Sequence, residues 1–164
     1  MKTIYYYQSF CGLEKLYSHI QDIDTIILSS IHFSSYKNDP YIHLNNYDPD
    51  SPRFDNVWIE LQKVYEQGVE IILMVGGAGG AYGALFSNFD LYYPLLFKLL
   101  RKYPFISGID LDIEEGVDIN DVKKLIDTLI KDFGEDFTIT MAPVAESLMT
   151  DGSSMGGFSY KELY

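Results

Sequence analysis

Three acidic side chains, spaced two residues apart, are the feature of this sequence that points most clearly to chemistry. Asp110, Asp112 and Glu114 alternate with apolar residues within the segment 105–116. Successive side chains of a β-strand point to opposite faces, so the three carboxylates would share one face, with neighbours about 6.6 Å apart. The apolar residues between them would cover the other face, which predicts a strand buried within a sheet.

A row of carboxylates on a buried strand favours acid–base catalysis. Burial and neighbouring negative charges both disfavour ionisation, so at least one of the three pKa values should be raised. A carboxyl group with a raised pKa can act as a general acid near neutral pH, and Glu114 would lie at the carboxyl end of the strand, where parallel α/β folds place their sites. Two other interpretations stay open, namely a solvated acidic edge strand and a magnesium or calcium site.

The elements that would position these acids alternate between strands and helices. Strands are predicted at 3–9, 25–33, 69–75, 106–113 and 137–141, with helical periodicity after each of the first four and a long polar loop at 34–54. This alternation predicts a parallel sheet with right-handed crossovers in one domain, residues 1–164. An open doubly wound sheet and the first part of an eight-stranded barrel both fit, since a complete barrel needs about 250 residues.

Composition excludes several classes of function. The chain has 164 residues, 47% of them hydrophobic, and a formal net charge of −12. That charge repels phosphate backbones and anionic membrane surfaces, so neither nucleic acid nor membrane is expected as a partner. No secretion signal is recognisable, which predicts a cytoplasmic location for the chain as it stands. Cys11 is the single cysteine, which excludes an intrachain disulfide and a multi-cysteine metal cluster.

The acidic segment resembles the signature of glycoside hydrolase family 18, the chitinases and endo-β-N-acetylglucosaminidases. The family's fourth barrel strand reads Asp-Gly-x-Asp-x-Asp-x-Glu, and residues 107–114 match it except that Ser107 replaces the first aspartate. Residues 71–77 resemble the third-strand Ser-x-Gly-Gly motif, with Met74 in place of serine, and residues 137–143 resemble the fifth strand. The resemblance implies a parallel (β/α) array that forms the first five strands of a TIM (β/α)8 barrel, incomplete in this chain.

The resemblance also implies a mechanism that uses no cofactor and no metal. Glu114 would protonate the glycosidic oxygen and later act as the base for the incoming water. The nucleophile would be the carbonyl oxygen of the substrate's own N-acetyl group, which Asp112 would orient while stabilising the oxazolinium intermediate, and Asp110 would tune Asp112. The implied substrate is an oligo- or polysaccharide of β-1,4-linked N-acetylglucosamine, cleaved with retention of configuration.

Strand ends suggest further substrate-binding residues. Tyr7 and Gln8 end the first predicted strand, Gly76 and Gly77 follow the third, and Met141 ends the fifth, so all five are expected to line the cleft. The glycine cluster also allows a phosphate-loop interpretation, but no lysine follows it as a P-loop requires. A tight turn beside a substrate cleft is the other interpretation.

Two functions other than an active hydrolase stay open. A non-catalytic carbohydrate-binding relative would usually lack the acid at position 114, but Ser107, Met74 and the absence of a sixth strand with its substrate-holding tyrosine favour such a relative. A truncated, inactive half barrel is the third interpretation. Five strands leave two sheet edges open, and self-association could bury those edges.

Overall fold

The computed structural model of the chain describes residues 2–149 and 155–163, and its strands and helices alternate along the sequence. The strands are β1 (Ile4–Tyr7), β2 (Thr25–Tyr36), β3 (Asp39–Leu44), β4 (Glu70–Gly76), β5 (Ile106–Asp112) and β6 (Thr138–Thr140). The helices are α1 (Asp55–Tyr65), α2 (Tyr82–Ser87), α3 (Phe89–Lys102), α4 (Ile119–Phe133), α5 (Ala145–Met149) and α6 (Tyr160–Leu163). Two 3₁₀ segments, Glu14–Asp22 and Pro52–Phe54, precede β2 and α1.

Five strands form a parallel sheet in the order β1-β2-β4-β5-β6, so each lies beside its predecessor. A doubly wound sheet reverses its strand order near the middle, and this sheet does not. The sheet is curved, because the Tyr6 hydroxyl on β1 reaches Asp110 on β5 although β2 and β4 lie between them. The expected first five strands of a (β/α)8 barrel are therefore confirmed, with a concave inner face and an outer face covered by helices.

Strand alternation divides the core between the two faces. Outward residues such as Leu73 and Ile109 are fully buried in one large cluster that includes the apolar residues of the helices. A separate, smaller cluster of Ile27, Ile72 and Met74 lies on the inner face. Sequence alternation thus places the acids of β5 on the same face as Met74, because Met74 and Asp110 are paired across β4 and β5.

The predicted loop at 34–54 is wrong over its first part. β2 continues to Tyr36 and turns through Lys37 and Asn38, both at positive φ (51° and 69°), into the antiparallel strand β3. Pro40 lies within β3, opposite Ser35, rather than interrupting it. A proline cannot donate a ladder hydrogen bond, but among the described strands β3 pairs only with β2, and an edge strand tolerates that loss.

The first predicted helix also differs from the structure. Residues Glu14–Asp22 form 3₁₀ turns that break at His19, whose φ is −127°. None of these nine residues is fully buried. Because helical stability in proteins comes mostly from packing an apolar face, this segment, whose apolar residues are only partly buried, gains little from a regular α-helix.

The end of the described chain carries an apolar surface next to the open edge of the sheet. α5 has five residues and α6 has four, so neither forms a long cover for β6. Val144, Leu148 and Met149 are 51%, 54% and 80% exposed. Within residues 2–149 and 155–163, no helix has the length and apolar character needed to cross a membrane.

We expect the chain to self-associate through this apolar surface. Replacing both Val144 and Leu148 by lysine should weaken the association, because a contact between copies would then bury unpaired ammonium groups. Ile59→Lys is the control, since Ile59 is 51% exposed on α1, away from the open edge. Size-exclusion chromatography with light scattering measures the mass of the wild type, the double lysine variant and the control over a range of concentrations. A wild-type protein that stays monomeric at every concentration contradicts this expectation.

Candidate functional site

Asp110 lies at the centre of the acidic row and is only 1% exposed. Its carboxylate accepts a hydrogen bond from the Tyr6 hydroxyl on β1 at 3.2 Å and another from the Thr140 hydroxyl on β6 at 2.5 Å. β1 and β6 are the two outermost strands of the parallel sheet. The inner-face carboxylate of Asp110 is therefore hydrogen-bonded to both edges of that sheet. In the part of the chain that the structure describes, no cationic side chain pairs with this carboxylate.

Asp112, the next acid toward the carboxyl end of β5, is partly buried. Burial, reinforced by the charges of Glu114 and then Asp110, raises the pKa of Asp112 to about 6. Its backbone is held by Gly77, whose N–H donates to the Asp112 carbonyl at 2.9 Å. A carboxyl group with this pKa changes its protonation at mildly acidic pH and can therefore take part in proton transfer.

Glu114 lies two residues beyond the end of β5, and its side chain is exposed. Ile113 before it is fully buried, so the alternation of the strand continues past the last ladder hydrogen bond. Glu114 and Asp112 both line a cavity of about 710 Å³ at the carboxyl ends of the strands. No hydrogen bond from a described residue occupies the Glu114 carboxylate, which leaves it available to a ligand in the cavity.

The glycine-rich turn after β4 forms one wall of this cavity, as expected for Gly76 and Gly77. Gly76 has a φ of 96°, and a Cβ there would overlap the Asp112 carbonyl and the ring of Tyr82. Gly77 has a φ of 88°, and a Cβ there would lie 3.1 Å from the Met74 methyl group and 3.4 Å from Asp112 Oδ2. Glycine is therefore required for the turn to lie this close to the acidic row.

The opposite wall is polar and comes mainly from the hairpin of β2 and β3. His32 and His43 stack with ring centroids 5.5 Å apart, and both line the cavity. Burial, with a smaller contribution from His32, lowers the pKa of His43. Hydroxyl and amide groups complete this wall, from Gln8, Ser34, Asn45 and Asn46. This wall was not predicted from the sequence, although the alternation of polar and apolar residues over 41–44 was a usable signal.

The two residues predicted at the end of the first strand lie in different surroundings. Gln8 lines the cavity. Tyr7 is fully buried in the outer layer, where its ring packs edge-on against Phe10 and its hydroxyl accepts a hydrogen bond from the Gly12 N–H at 3.1 Å. Neighbouring residues of a strand face opposite sides, so Tyr7 and Gln8 could not both face inward. Tyr6, which shares the parity of Gln8, is the inward tyrosine and was missed.

Met141 does not line the cavity of Glu114 but a second cavity of about 650 Å³, walled mostly by apolar residues of α4, β6 and the segment beyond it. Tyr160 also lines this second cavity. Burial raises the pKa of Tyr160, and the charge of Asp112 adds to the effect. Met141 follows β6, and β6 pairs with β5 on the side opposite β4 and the hairpin, so Met141 lies on the far side of the acidic row from the hairpin.

The structure bears on the two other interpretations of the acidic row. β5 pairs with β4 on one side and β6 on the other, so it is an interior strand and not a solvated edge. Over residues 2–149 and 155–163, no group of three or more histidine, cysteine or acidic side chains is placed to hold a metal ion. The acids of this strand and the residue beyond it form a graded row that leads from the core into an open cavity.

Asp112 should make stability depend on pH. Its pKa is about 6 in the folded chain against an ordinary value of 3.8, so the folded state binds its proton more tightly. The free energy of unfolding should therefore fall as the pH rises through this interval. Asp112→Asn should be more stable than the wild type at about pH 8, and the difference should shrink toward about pH 4.

Urea denaturation midpoints across this pH range measure the effect. The exposed Asp136, substituted by asparagine, is the matched control and should leave the pH dependence unchanged. A difference between Asp112→Asn and the wild type that stays constant with pH contradicts the raised pKa.

Comparison with known proteins relates the chain to chitinases. No protein-family model matches it. It is 28% identical to Chitinase 2 of Rhizopus oligosporus, in a match that covers 77% of this chain and 26% of that protein. Its fold is similar to that of chitinase ChiC from Aspergillus fumigatus (TM-score 0.90, 33% identity) and of a fungal endo-β-N-acetylglucosaminidase from glycosyl hydrolase family 18 (TM-score 0.87, 30% identity).

The similarity extends over almost the whole chain but only over part of these relatives. The two structural matches cover 99% of this chain and 61% of each relative's chain. The chain thus spans about three fifths of the length of these solved structures and about a quarter of the curated chitinase. In sequence and in fold, the chain is similar to these chitinases and to the family 18 endo-β-N-acetylglucosaminidase over that part of their length.

Proposed function

We propose that this protein is a retaining glycoside hydrolase that cleaves β-1,4-linked N-acetylglucosamine polymers. The observation that carries the proposal is the graded row of Asp110, Asp112 and Glu114, which leads from the sheet interior into a cavity of about 710 Å³. The similarity to a chitinase and to an endo-β-N-acetylglucosaminidase supports this substrate class. The polar hairpin wall supports a ligand rich in hydroxyl and amide groups.

Glu114 is the general acid and base in this proposal. Its carboxyl group is exposed to the cavity and is not used by any hydrogen bond within the described chain, so it can reach a glycosidic oxygen. In the first step it gives its proton to that oxygen as the bond to the anomeric carbon breaks. In the second step it takes a proton from the water that attacks the same carbon.

Asp112 and Asp110 support the step in which the substrate supplies its own nucleophile. The acetamido carbonyl oxygen attacks the anomeric carbon while the leaving group departs, which forms a cationic oxazolinium ring. An ionised Asp112 stabilises that cation and orients the acetamido N–H, and its raised pKa means that it also exchanges a proton at mildly acidic pH. Asp110, held by two hydroxyl donors, lies behind Asp112 on the same strand and acts on the substrate only through Asp112.

Glu114→Gln should abolish turnover of chitooligosaccharides and leave binding largely intact. The amide keeps the shape of the side chain but has no proton to transfer, and general acid help is typically worth about 10² to 10⁴ in rate. Asp112→Asn should also be severe, and Asp110→Asn milder because Asp110 acts through Asp112. Steady-state kinetics on the full-length protein, with binding measured by calorimetry, give this order.

Glu66→Gln is the control for a glutamate-to-glutamine change, because Glu66 is exposed directly after the end of α1 and does not line the cavity of Glu114. Full activity in Glu114→Gln refutes the role of Glu114. Binding of chitooligosaccharides by the wild type without any turnover would support the non-catalytic carbohydrate-binding alternative instead.

Substrates that lack the N-acetyl group should not be hydrolysed. Cellooligosaccharides have the same β-1,4 linkage but no acetamido carbonyl oxygen, so no internal nucleophile is available. Product analysis of matched chito- and cellooligosaccharides measures the difference. Comparable cleavage of both rejects the substrate-assisted mechanism but not hydrolase activity as such.

A further inference from the structure

Glu115, next to the proposed general acid, makes a contact that the proposed chemistry does not use. Its Oε1 accepts hydrogen bonds from the backbone N–H groups of Ala81 and Tyr82, each at 2.6 Å. These two residues end the glycine-rich turn and begin α2. The carboxylate thus connects the loop after β5 to the turn after β4, the two segments that carry Glu114 and one wall of the cavity.

The glycines of the turn leave room for this carboxylate. A Cβ at Gly80 would lie 3.1 Å from Glu115 Oε2, and a Cβ at Gly83 would lie 3.0 Å from the same oxygen. Both distances are too short for a normal contact between a carbon and an oxygen, so a side chain at either position would displace the carboxylate. This contact explains Gly83, which the turn itself does not require, and adds a second reason for Gly80, whose φ of 73° already favours glycine.

The backbone around Glu114 has few other restraints. β5 makes its last ladder pair at Asp112, so residues 113–115 lie beyond the hydrogen-bonded sheet. Ile113 is held by burial on one side of Glu114, and Glu115 is held by its two hydrogen bonds on the other. Glu114 therefore projects from a short segment that is anchored at both ends by side chains.

We propose that Glu115 is the positioning residue for Glu114: its carboxylate, bound to the amides of Ala81 and Tyr82, fixes the backbone from which Glu114 projects into the cavity. The catalytic part of this inference rests on the proposed function. The geometric part does not, since it concerns only where the Glu114 carboxylate lies relative to Asp112.

The pKa of Asp112 reports that geometry without any need for activity. The charge of Glu114 is the largest electrostatic cause of the raised value near 6, and Glu115 is not among its causes. Glu115→Ala should free the segment, let Glu114 move away and lower the pKa of Asp112. Glu115→Gln should leave that pKa close to the wild-type value, because its amide oxygen can still accept both N–H groups.

Carbon-detected NMR titration of the Asp112 carboxyl group in the two variants makes the distinction. Equal shifts in Glu115→Ala and Glu115→Gln would mean that Glu115 acts only as a charge, and no shift in Glu115→Ala would mean that it does not position Glu114. Either result overturns the inference. Asp24→Ala is the matched control, since the Asp24 carboxylate also accepts a backbone N–H bond, from Thr3 at 2.6 Å, but at the amino end of β2.

Gly83→Ala tests the same contact from the other partner. In the wild-type background, its methyl group should push the Glu115 carboxylate away by a few tenths of an ångström and lower kcat, with little change in KM. In the Glu115→Ala background the same substitution should have no further effect on kcat, because nothing remains to be displaced. Additive effects on kcat overturn the inference.

If the wild-type protein has no hydrolase activity, the kcat measurements on Gly83→Ala cannot be made, and the proposed function is contradicted. The titration of Asp112 then still decides whether Glu115 positions Glu114. The failure of the function and the failure of the positioning role are therefore distinguishable.

Discussion

The burial of the Asp110 carboxylate is the constraint on which the rest of the structure depends. A carboxyl group this deeply buried is costly unless hydrogen bonds replace its hydration, and no cation pairs with it in the described part of the chain. Its two donors are hydroxyls on β1 and β6, the outermost strands of the parallel sheet. The sheet must curve for both hydroxyls to reach one carboxylate. The interaction that stabilises Asp110 therefore also keeps the inner face concave.

From that buried end, the acidic row passes through three environments. Asp110 is enclosed, Asp112 is partly buried with a pKa of about 6, and Glu114 is exposed in the cavity. All three side chains are carboxyl groups, so their differences come from depth and, at Asp112, also from the charges of its two neighbours. Depth increases toward the middle of the strand because the sheet covers the interior and leaves only the carboxyl ends open to a ligand.

Hydrogen bonds between neighbouring segments hold the end of β5 and the loop after it against the turn after β4. The Gly77 N–H binds the Asp112 carbonyl, and the Glu115 carboxylate binds the amides that open α2. Glycine is needed at Gly76 because a side chain there would overlap the Asp112 carbonyl. The turn after β4 and the loop after β5 are therefore one packed unit, although the motifs that mark them are separated by about thirty residues in the sequence.

Local sequence patterns alone determined the parallel alternation of strands and helices, and the shared face of Asp110, Asp112 and Glu114, because a period of two residues is a property of any strand. The sequence did not determine which side of a strand faces inward. Tyr7 was therefore expected in the cleft where the structure has Tyr6 and Gln8 facing inward, and the β3 hairpin was read as loop because Pro40 is tolerated only on an edge. The position of Met141 in the second cavity and the contact of Glu115 with α2 were decided by the packing of segments far apart in the chain, and such contacts leave no periodic signal in the sequence.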